Sequence, residues 1–351
     1  MDNIKKLQSK LKETEGYIFL SPVGRQYLTN VATSYGLVLV TKSDCIFYTD
    51  FRYLELAQKR ARQGVKVLRL TKSLHDTMKD IIEAFRLERL LLEKDHITIQ
   101  EAEEYADLPI FYDQEKILEK MRVVKDEREL AAIRAAQDIT DKAFADILSE
   151  IRAGMTEKEV MAKLIYLLYH HGADKLSFEP IVVSGANGAL PHGVATEKKL
   201  ENGEFLTMDF GVVKDGYCSD MTRTVAIGYV TDEMRRVYDT VFAAQQAAFA
   251  AIHAGVTGVE VDAAARKVVN AAGYEGCFDH GTGHGVGIEI HEAPNYSPRW
   301  PHVIPAGAVL SVEPGIYLSG KMGVRIEDIA LVTDNGYDDL TKSDPSLIII
   351  K

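Results

Sequence analysis

Two aspartates, Asp209 and Asp220, stand in the stretch from Phe205 to Asp220, which reads as two strands joined by a turn. Gly216 suits the last position of a type I turn over Val213–Gly216, which places the turn centre between residues 214 and 215. Both aspartates are equidistant from that centre. The spacing predicts that they face each other directly, with Cβ atoms roughly 5 Å apart. Two opposed carboxylates repel, and a divalent cation between them removes the repulsion. The plain alternative is a pair of exposed aspartates, and the apolar neighbours Phe205, Met208 and Phe210 speak against it.

The same construction recurs. Strands over Ala308–Glu313 and from Gly323 onward flank a turn centred on Gly320, so Glu313 is expected opposite Glu327. Between the two hairpins, His280, His284 and His291 lie in a glycine-rich run, where the backbone can be approached closely. Four carboxylates and one imidazole suit two divalent cations of the Mn, Co or Zn kind, and the oxygen-rich set favours Mn. Four negative charges balance two doubly charged ions. Water between ions about 3.5–4 Å apart loses its proton readily and becomes a nucleophile near neutral pH.

Such a site needs a scaffold. Short apolar runs at Tyr17–Leu20, Gly36–Val40 and Cys45–Tyr48 read as strands, and Arg52–Gln63 and Leu74–Arg86 have helical spacing. These describe an α/β domain over residues 1–122, followed by a second domain over 123–351. The apolar positions Leu130, Ile133, Ile139, Phe144, Ile147, Leu148 and Ile151 predict one amphipathic helix from Asp126 to Arg152, ended by Gly154. Thr156 and Glu159 then form a capping box for a second helix.

That grammar returns about a hundred residues later. Asp232–His253 reads as a helix stopped by Gly255, and a further helix runs through Ala272. Gly154–Val160 and Gly255–Val261 share the pattern Gly-x-Thr-x-x-Glu-Val. A shared capping sequence explains part of this; an internal duplication, with the active site between two halves, explains more.

Composition bounds the function. The chain has 351 residues, 46% hydrophobic and 26% charged, as in an ordinary globular protein with a sizeable core. Its net charge of −11 argues against nucleic-acid or anionic-membrane partners. Three scattered cysteines, Cys45, Cys218 and Cys277, fit a reducing, cytoplasmic setting rather than a disulfide framework. The opening residues have no apolar core of a signal peptide. Val241–Val259 lacks Asp, Glu, Lys and Arg, but its glutamines, His253 and alanines read as a buried helix rather than a membrane span.

With those residues in hand, the sequence resembles the M24 metallopeptidases. The carrying motifs are Met208–Gly211, Ser219–Thr224, His280–Gly287, Glu313–Tyr317 and Val324–Asp328. Gly24–Asn30 and Thr49–Tyr53 resemble the N-terminal domain of the family's Xaa-Pro dipeptidase (prolidase) and Xaa-Pro aminopeptidase branches. The resemblance implies a pita-bread catalytic domain with pseudo-two-fold symmetry, and a homodimer acting on proline-containing peptides. It implies that Asp220 and Glu327 bridge two metals, that Asp209 binds one, and that His284 and Glu313 bind the other. Glu313 is also expected to shuttle the proton, while His192 and His291 contact substrate and stabilise the tetrahedral intermediate. Arg325 either orients Glu327 or forms a structural ion pair, with substrate contact as a further role. An Xaa-Pro bond is a tertiary amide without N–H, so a metal pair that grips the amino end and the carbonyl suits it.

One departure shifts the expected substrate. Prolidases often carry Arg where this chain has Asn295, which cannot grip a dipeptide's free carboxylate; Arg299 and Arg325 are the nearest substitutes. This favours an Xaa-Pro aminopeptidase, with prolidase as the alternative. A non-catalytic pita-bread peptide binder and a metal-free creatinase-like enzyme both predict lost metal ligands, and none is lost. A methionine aminopeptidase usually lacks so large an N-terminal domain.

Overall fold

The computed structural model describes residues 3–351; Met1 and Asp2, which head the opening segment read for a signal peptide, lie outside the described residues. The chain forms two compact units, Met1–Met121 and Arg122–Lys351.

In the first unit, α1 (Asn3–Gln8), β1 (Glu15–Phe19), α2 (Pro22–Thr29), β2 (Leu37–Thr41), β3 (Cys45–Thr49), α3 (Phe51–Arg60), β4 (Lys66–Arg69), α4 (Leu74–Phe85), β5 (Arg89–Glu93), α5 (Ile99–Glu104) and β6 (Ile110–Asp113) lead to α6 (Ile117–Val123), within which the boundary falls. One sheet has the order β4-β3-β2-β1-β5-β6. Strands β1 and β2 are buried along their whole length, which is why they read as continuous apolar runs rather than alternating ones. Ile18, Leu39, Ile46, Leu90 and Leu92 pack with Met78 and Ile81 of α4.

The second unit comprises α7 (Glu127–Ile147), α8 (Glu157–His170), β7 (Lys175–Leu176), β8 (Ile181–Ser184), β9 (Glu204–Phe210), β10 (Val212–Lys214), β11 (Tyr217–Cys218), β12 (Met221–Ile227), α9 (Asp232–Ala251), α10 (Gly258–Ala271), β13 (Gly283–Gly285), β14 (Glu292–Tyr296), β15 (Val309–Val312), β16 (Gly315–Leu318), β17 (Met322–Arg325), β18 (Asp328–Thr333), β19 (Gly336–Asp339) and β20 (Ile349–Ile350). Helices α7 and α8 precede a sheet of order β20-β12-β9-β8, and α9 and α10 precede one of order β14-β13-β15-β18-β19.

The repeat extends beyond a shared cap. Thr156 with Glu159 and Thr257 with Glu260 both close reciprocal capping boxes. Gly154 and Gly255 adopt φ of 89° and 91°, and their amides donate to the carbonyls of Leu200 and Ile304. Thr156 and Thr257 bridge to Lys199 and Val303. A hydrogen-bond set reproduced in both halves is a duplication, which capping sequence alone does not produce.

Helix α7 ends at Ile147, short of the expected Arg152. Ser149 and Glu150 donate to carbonyls three residues back, so the helix tightens into turns before Gly154. The uncharged run Val241–Val259 is not one helix: it covers the end of α9, whose Val241, Ala244, Ala248 and Phe249 are buried, the turn at Gly255 and the start of α10. Among the described residues no helix is long and apolar enough to cross a membrane.

Candidate metal centre

The turn between the two aspartates is tighter than a type I turn over Val213–Gly216. Val213 pairs with Cys218 and Lys214 with Tyr217, leaving Asp215 (φ 50°) and Gly216 (φ 82°) as a two-residue loop. Two consecutive positive φ values mark the Asp-Gly hairpin turn, whose twist matches that of the flanking strands. The centre therefore moves by one residue, and Asp209 faces Thr222 across β9 and β12. Asp220 becomes its diagonal neighbour on the same face, because side chains alternate with a period of two. The second hairpin keeps its expected register. Val312 pairs with Asp328 and Gly315 with Arg325, so Glu313 and Glu327 occupy matching places between the two ladders.

Asp220, His284 and Glu327 bring ligand atoms within 4.8 Å of one another. His284 Nε2 lies 3.6 Å from Asp220 Oδ2 and 3.2 Å from Glu313 Oε1. Asp209 stands beside this group, its Oδ2 ion-paired with the Arg325 guanidinium. Arg325 Nε donates to the Thr222 hydroxyl (3.1 Å), which donates to Glu327 Oε2 (2.6 Å). One arginine thus touches Asp209 directly and Glu327 through a hydroxyl.

The protein's own groups push this cluster toward neutrality. Burial pushes the Asp220 carboxyl well above its usual range, with Asp209 adding repulsion. Burial does the same for Glu327, helped by Asp220 and Glu313, and raises Asp209 against the pull of Arg325. Burial disfavours charge on His284, but the hydrogen bond and charge of Glu313 raise it to about 9. Glu313 answers in kind: burial opposes its ionisation, and His284 draws it down to about 2. A cation reverses this logic by favouring every carboxylate. Asp209 Oδ1 and Glu327 Oε1 are buried without a hydrogen-bond partner, so the residues fit a metal: oxygen donors stand ready with nothing else to satisfy them.

Glycines let the strands come this close. A Cβ on Gly283 would lie 1.9 Å from the Ser311 carbonyl oxygen, and Ser311 Oγ accepts from the His284 amide (3.0 Å) while donating to Glu313 Oε1 (3.2 Å). Gly283→Ala is expected to lower divalent-metal affinity by roughly 10–100-fold with every candidate ligand retained, as lost outer contacts do. Titration of the metal-stripped enzyme checks this, and unaltered affinity would show that strand spacing is irrelevant to the site.

A cavity of about 660 Å³ opens on the group and is lined by His192, His291, Asn295 and Arg325 besides the carboxylates. His291 packs edge-on against His284 at 4.3 Å, and burial lowers its pKa. Asn295 pairs with His284 across β13 and β14, whereas Arg299 is exposed and outside the cavity lining.

Tyr317 is not singled out by the sequence, and His280 enters there only as one of three histidines in the glycine-rich run. His280 Nδ1 faces the Gly281 carbonyl (2.8 Å), so it carries the proton; Nε2 then accepts from the Tyr317 hydroxyl (2.9 Å). Tyr317 in turn accepts from Arg325 Nη1 (2.8 Å). Burial lowers the His280 pKa, which keeps that ring neutral. The available signal was register: Tyr317 is a diagonal neighbour of Arg325 on the β16–β17 hairpin.

Comparison with known proteins covers both units of the chain. Residues 131–334 match metallopeptidase family M24, and residues 3–124 match the creatinase/prolidase N-terminal domain. A relative named Xaa-Pro dipeptidase, from Pyrococcus horikoshii, is 35% identical over 89% of this chain and 88% of its own. The solved Xaa-Pro dipeptidase from Bacillus anthracis superposes with a TM-score of 0.93 at 39% identity, covering 99% of this chain and 98% of that one. The X-Pro aminopeptidase from Thermotoga maritima MSB8 gives 0.91 at 32%, covering 98% and 100%. With both units matched in order and nearly end to end, the chain belongs to metallopeptidase family M24.

Proposed function

We propose that the protein is an Xaa-Pro dipeptidase using two divalent ions, Mn foremost with Co or Zn as substitutes, held by Asp209, Asp220, His284, Glu313 and Glu327. The observation that carries this is the approach of Asp220, His284 and Glu327 within 4.8 Å, in the cavity shared with His192 and His291. The sequence-level preference for an aminopeptidase rested on Asn295; the relatives named Xaa-Pro dipeptidase, one of them matching at a TM-score of 0.93, turn the preference the other way.

Asp220 and Glu327 are read as shared ligands, Asp209 as the ligand of one ion, and His284 with Glu313 as those of the other. When bound, divalent ions polarise a carbonyl and acidify water. Glu313, within reach of His284, takes the proton of the attacking water and returns it to the departing proline nitrogen. His192 and His291 donate to the oxygen on which charge develops. Met161, Phe178, Pro180, Ile181 and Ile290 give the cavity an apolar wall for the proline ring. Arg325 holds Asp209 and, through Thr222, Glu327 in the orientation that binds. The homodimer implied by resemblance belongs to the same proposal, and sedimentation in solution tests it.

The test compares an Xaa-Pro dipeptide with Xaa-Pro tri- and pentapeptides on enzyme stripped of metal and reloaded with Mn. The dipeptide is expected to have the higher kcat/KM, by about tenfold or more, a difference of about 1.4 kcal/mol in transition-state binding. Preference for the longer peptides makes the protein an X-Pro aminopeptidase and gives Asn295 its meaning. Cleavage of none of them, with metal bound, favours a peptide-binding role.

A further inference from the structure

Glu157 is fully buried at the first position of α8, yet Thr156 and Glu159 close that helix's capping box without it. The duplicate helix α10 closes the same box with Thr257 and Glu260 and carries Gly258 at the matching position. Capping therefore does not explain a buried carboxylate. At Gly258 the backbone itself takes the place, since a Cβ there would lie 2.0 Å from the Asn295 carbonyl oxygen.

The partners of Glu157 point elsewhere. Its Oε1 accepts from the Ser184 amide (2.7 Å), the Ser184 hydroxyl (2.9 Å) and Asn187 Nδ2 (3.1 Å). Its Oε2 accepts from Asn187 Nδ2 (3.2 Å), the Thr196 amide (2.9 Å) and the Thr196 hydroxyl (2.7 Å). All of these donors belong to residues 184–196, the segment that leaves β8 through a short 3₁₀ turn over Gly185–Ala189 and carries His192. A carboxylate is the acceptor-only group that such a ring of donors requires. Apolar burial does not hold the tip of this segment, because Leu190 and Val194 beside His192 are 58% and 78% exposed. At the cavity, the Pro191 carbonyl accepts from Arg325 Nη1 (3.4 Å).

We infer that Glu157 is a positioning residue: its carboxylate ties both ends of the 184–196 segment to the start of α8 and thereby sets where His192 stands. The inference rests on the reading of His192 as a substrate contact. The helix N-terminus at α8 favours the negative charge that does the tying. Glu157→Gln replaces one accepting oxygen by an NH2 that faces the donating amides of Ser184, Asn187 and Thr196, and loosens the segment without touching the metal ligands or the cavity wall.

The experiment uses Mn-loaded wild type, Glu157→Gln, Thr196→Val, His192→Ala and the Glu157→Gln/His192→Ala double variant. Glu157→Gln is expected to lower kcat/KM by roughly 10–100-fold, the cost of misplacing a reacting group by about 1 Å. Mn content is expected to stay at the wild-type value, and faster amide hydrogen exchange to be confined to residues 184–198. Thr196→Val is expected to change the same two readouts in the same direction by a smaller factor. The double variant is expected to be no slower than His192→Ala, because the two sites act through one group. Losses that multiply in the double variant overturn the inference, as does Glu157→Gln at wild-type kcat/KM while His192→Ala is slow. A Glu157→Gln enzyme that loses Mn overturns it too. If His192→Ala keeps full activity, the reading of His192 falls first and the inference with it, whereas an intact His192 effect isolates a failure of Glu157 alone. Should Glu157→Gln not fold, Thr196→Val decides: unchanged exchange and turnover reject the role.

Discussion

Asp220→Ala is expected to abolish measurable turnover and to strip the enzyme of tightly bound metal. Asp220 is buried, and it shares with His284 and Glu327 the one group of ligand atoms that converges within 4.8 Å among the described residues. Its neighbour Ser219 is fixed independently, by the Thr140 hydroxyl (2.6 Å) and the Val212 amide (2.9 Å), so removing the carboxylate leaves the strand in place. Lewis-acid stabilisation is worth several kcal/mol, and each ~1.4 kcal/mol is tenfold in rate, so a loss of about three decades or more is expected. Metal analysis of the dialysed variant and a turnover assay at saturating Mn check the two halves separately. An active, metal-replete Asp220→Ala protein would reject the shared-ligand role. The same variant, metal-free, is expected to be no less stable than metal-free wild type, because a buried carboxylate repelled by Asp209 has been removed.

Removing the metals is expected to cost more stability the higher the pH. Asp209, Asp220 and Glu327 have folded-state pKa values raised by burial, and His284 is raised to about 9 by Glu313 against its burial. A group raised in the folded state contributes stability that is complete below its unfolded pKa, about 4 for the carboxyls and about 6.5 for the imidazole, and lost as pH rises through the folded value. Glu313 runs the other way: drawn down to about 2 chiefly by His284 against its burial, it contributes above its unfolded value and fails only on acidification. Between pH 5 and 9 the metal-free protein therefore destabilises with rising pH. Metal binding needs deprotonated ligands and strengthens over the same range. The gap in Tm between Mn-loaded and metal-free enzyme is expected to widen by on the order of 5–10 °C, taking a few kcal/mol at about 2–4 °C each. Thermal denaturation of both forms at pH 5, 7 and 9 measures it; a gap that does not change with pH rejects the account.

Local rules carried far along this chain. Thr156 and Thr257 cap their helices as their spacing with Glu159 and Glu260 predicts, because a capping box involves only four consecutive residues. Glu313 and Glu327 keep the expected register because the loop around Gly320 is symmetric and nothing intervenes. The Asp209–Asp220 register failed by one residue for an equally local reason: Asp215-Gly216 takes the tighter hairpin turn. Asp-Gly is the local signal for that turn, and it prevails over the type I turn that Gly216 also suits. The helix expected to reach Arg152 stopped at Ile147, where tightened turns still bury Ile151 and satisfy its periodicity.

By itself, then, the sequence determined the elements, the two carboxylate-bearing hairpins and the repeated helix pairs, since each follows from spacing within a few residues or about a single turn, whereas the choice of His284 among three histidines came from resemblance. Only the tertiary structure decided which groups meet: Arg325 on Asp209 across 116 positions, Thr222 on Glu327 across 105, and Glu157 on Thr196 across 39. Those pairings depend on how two sheets and their helices pack, and on which buried oxygen finds a donor once water is excluded. Periodicity does not encode that choice, because it says which face a residue occupies and not what the facing element brings to it.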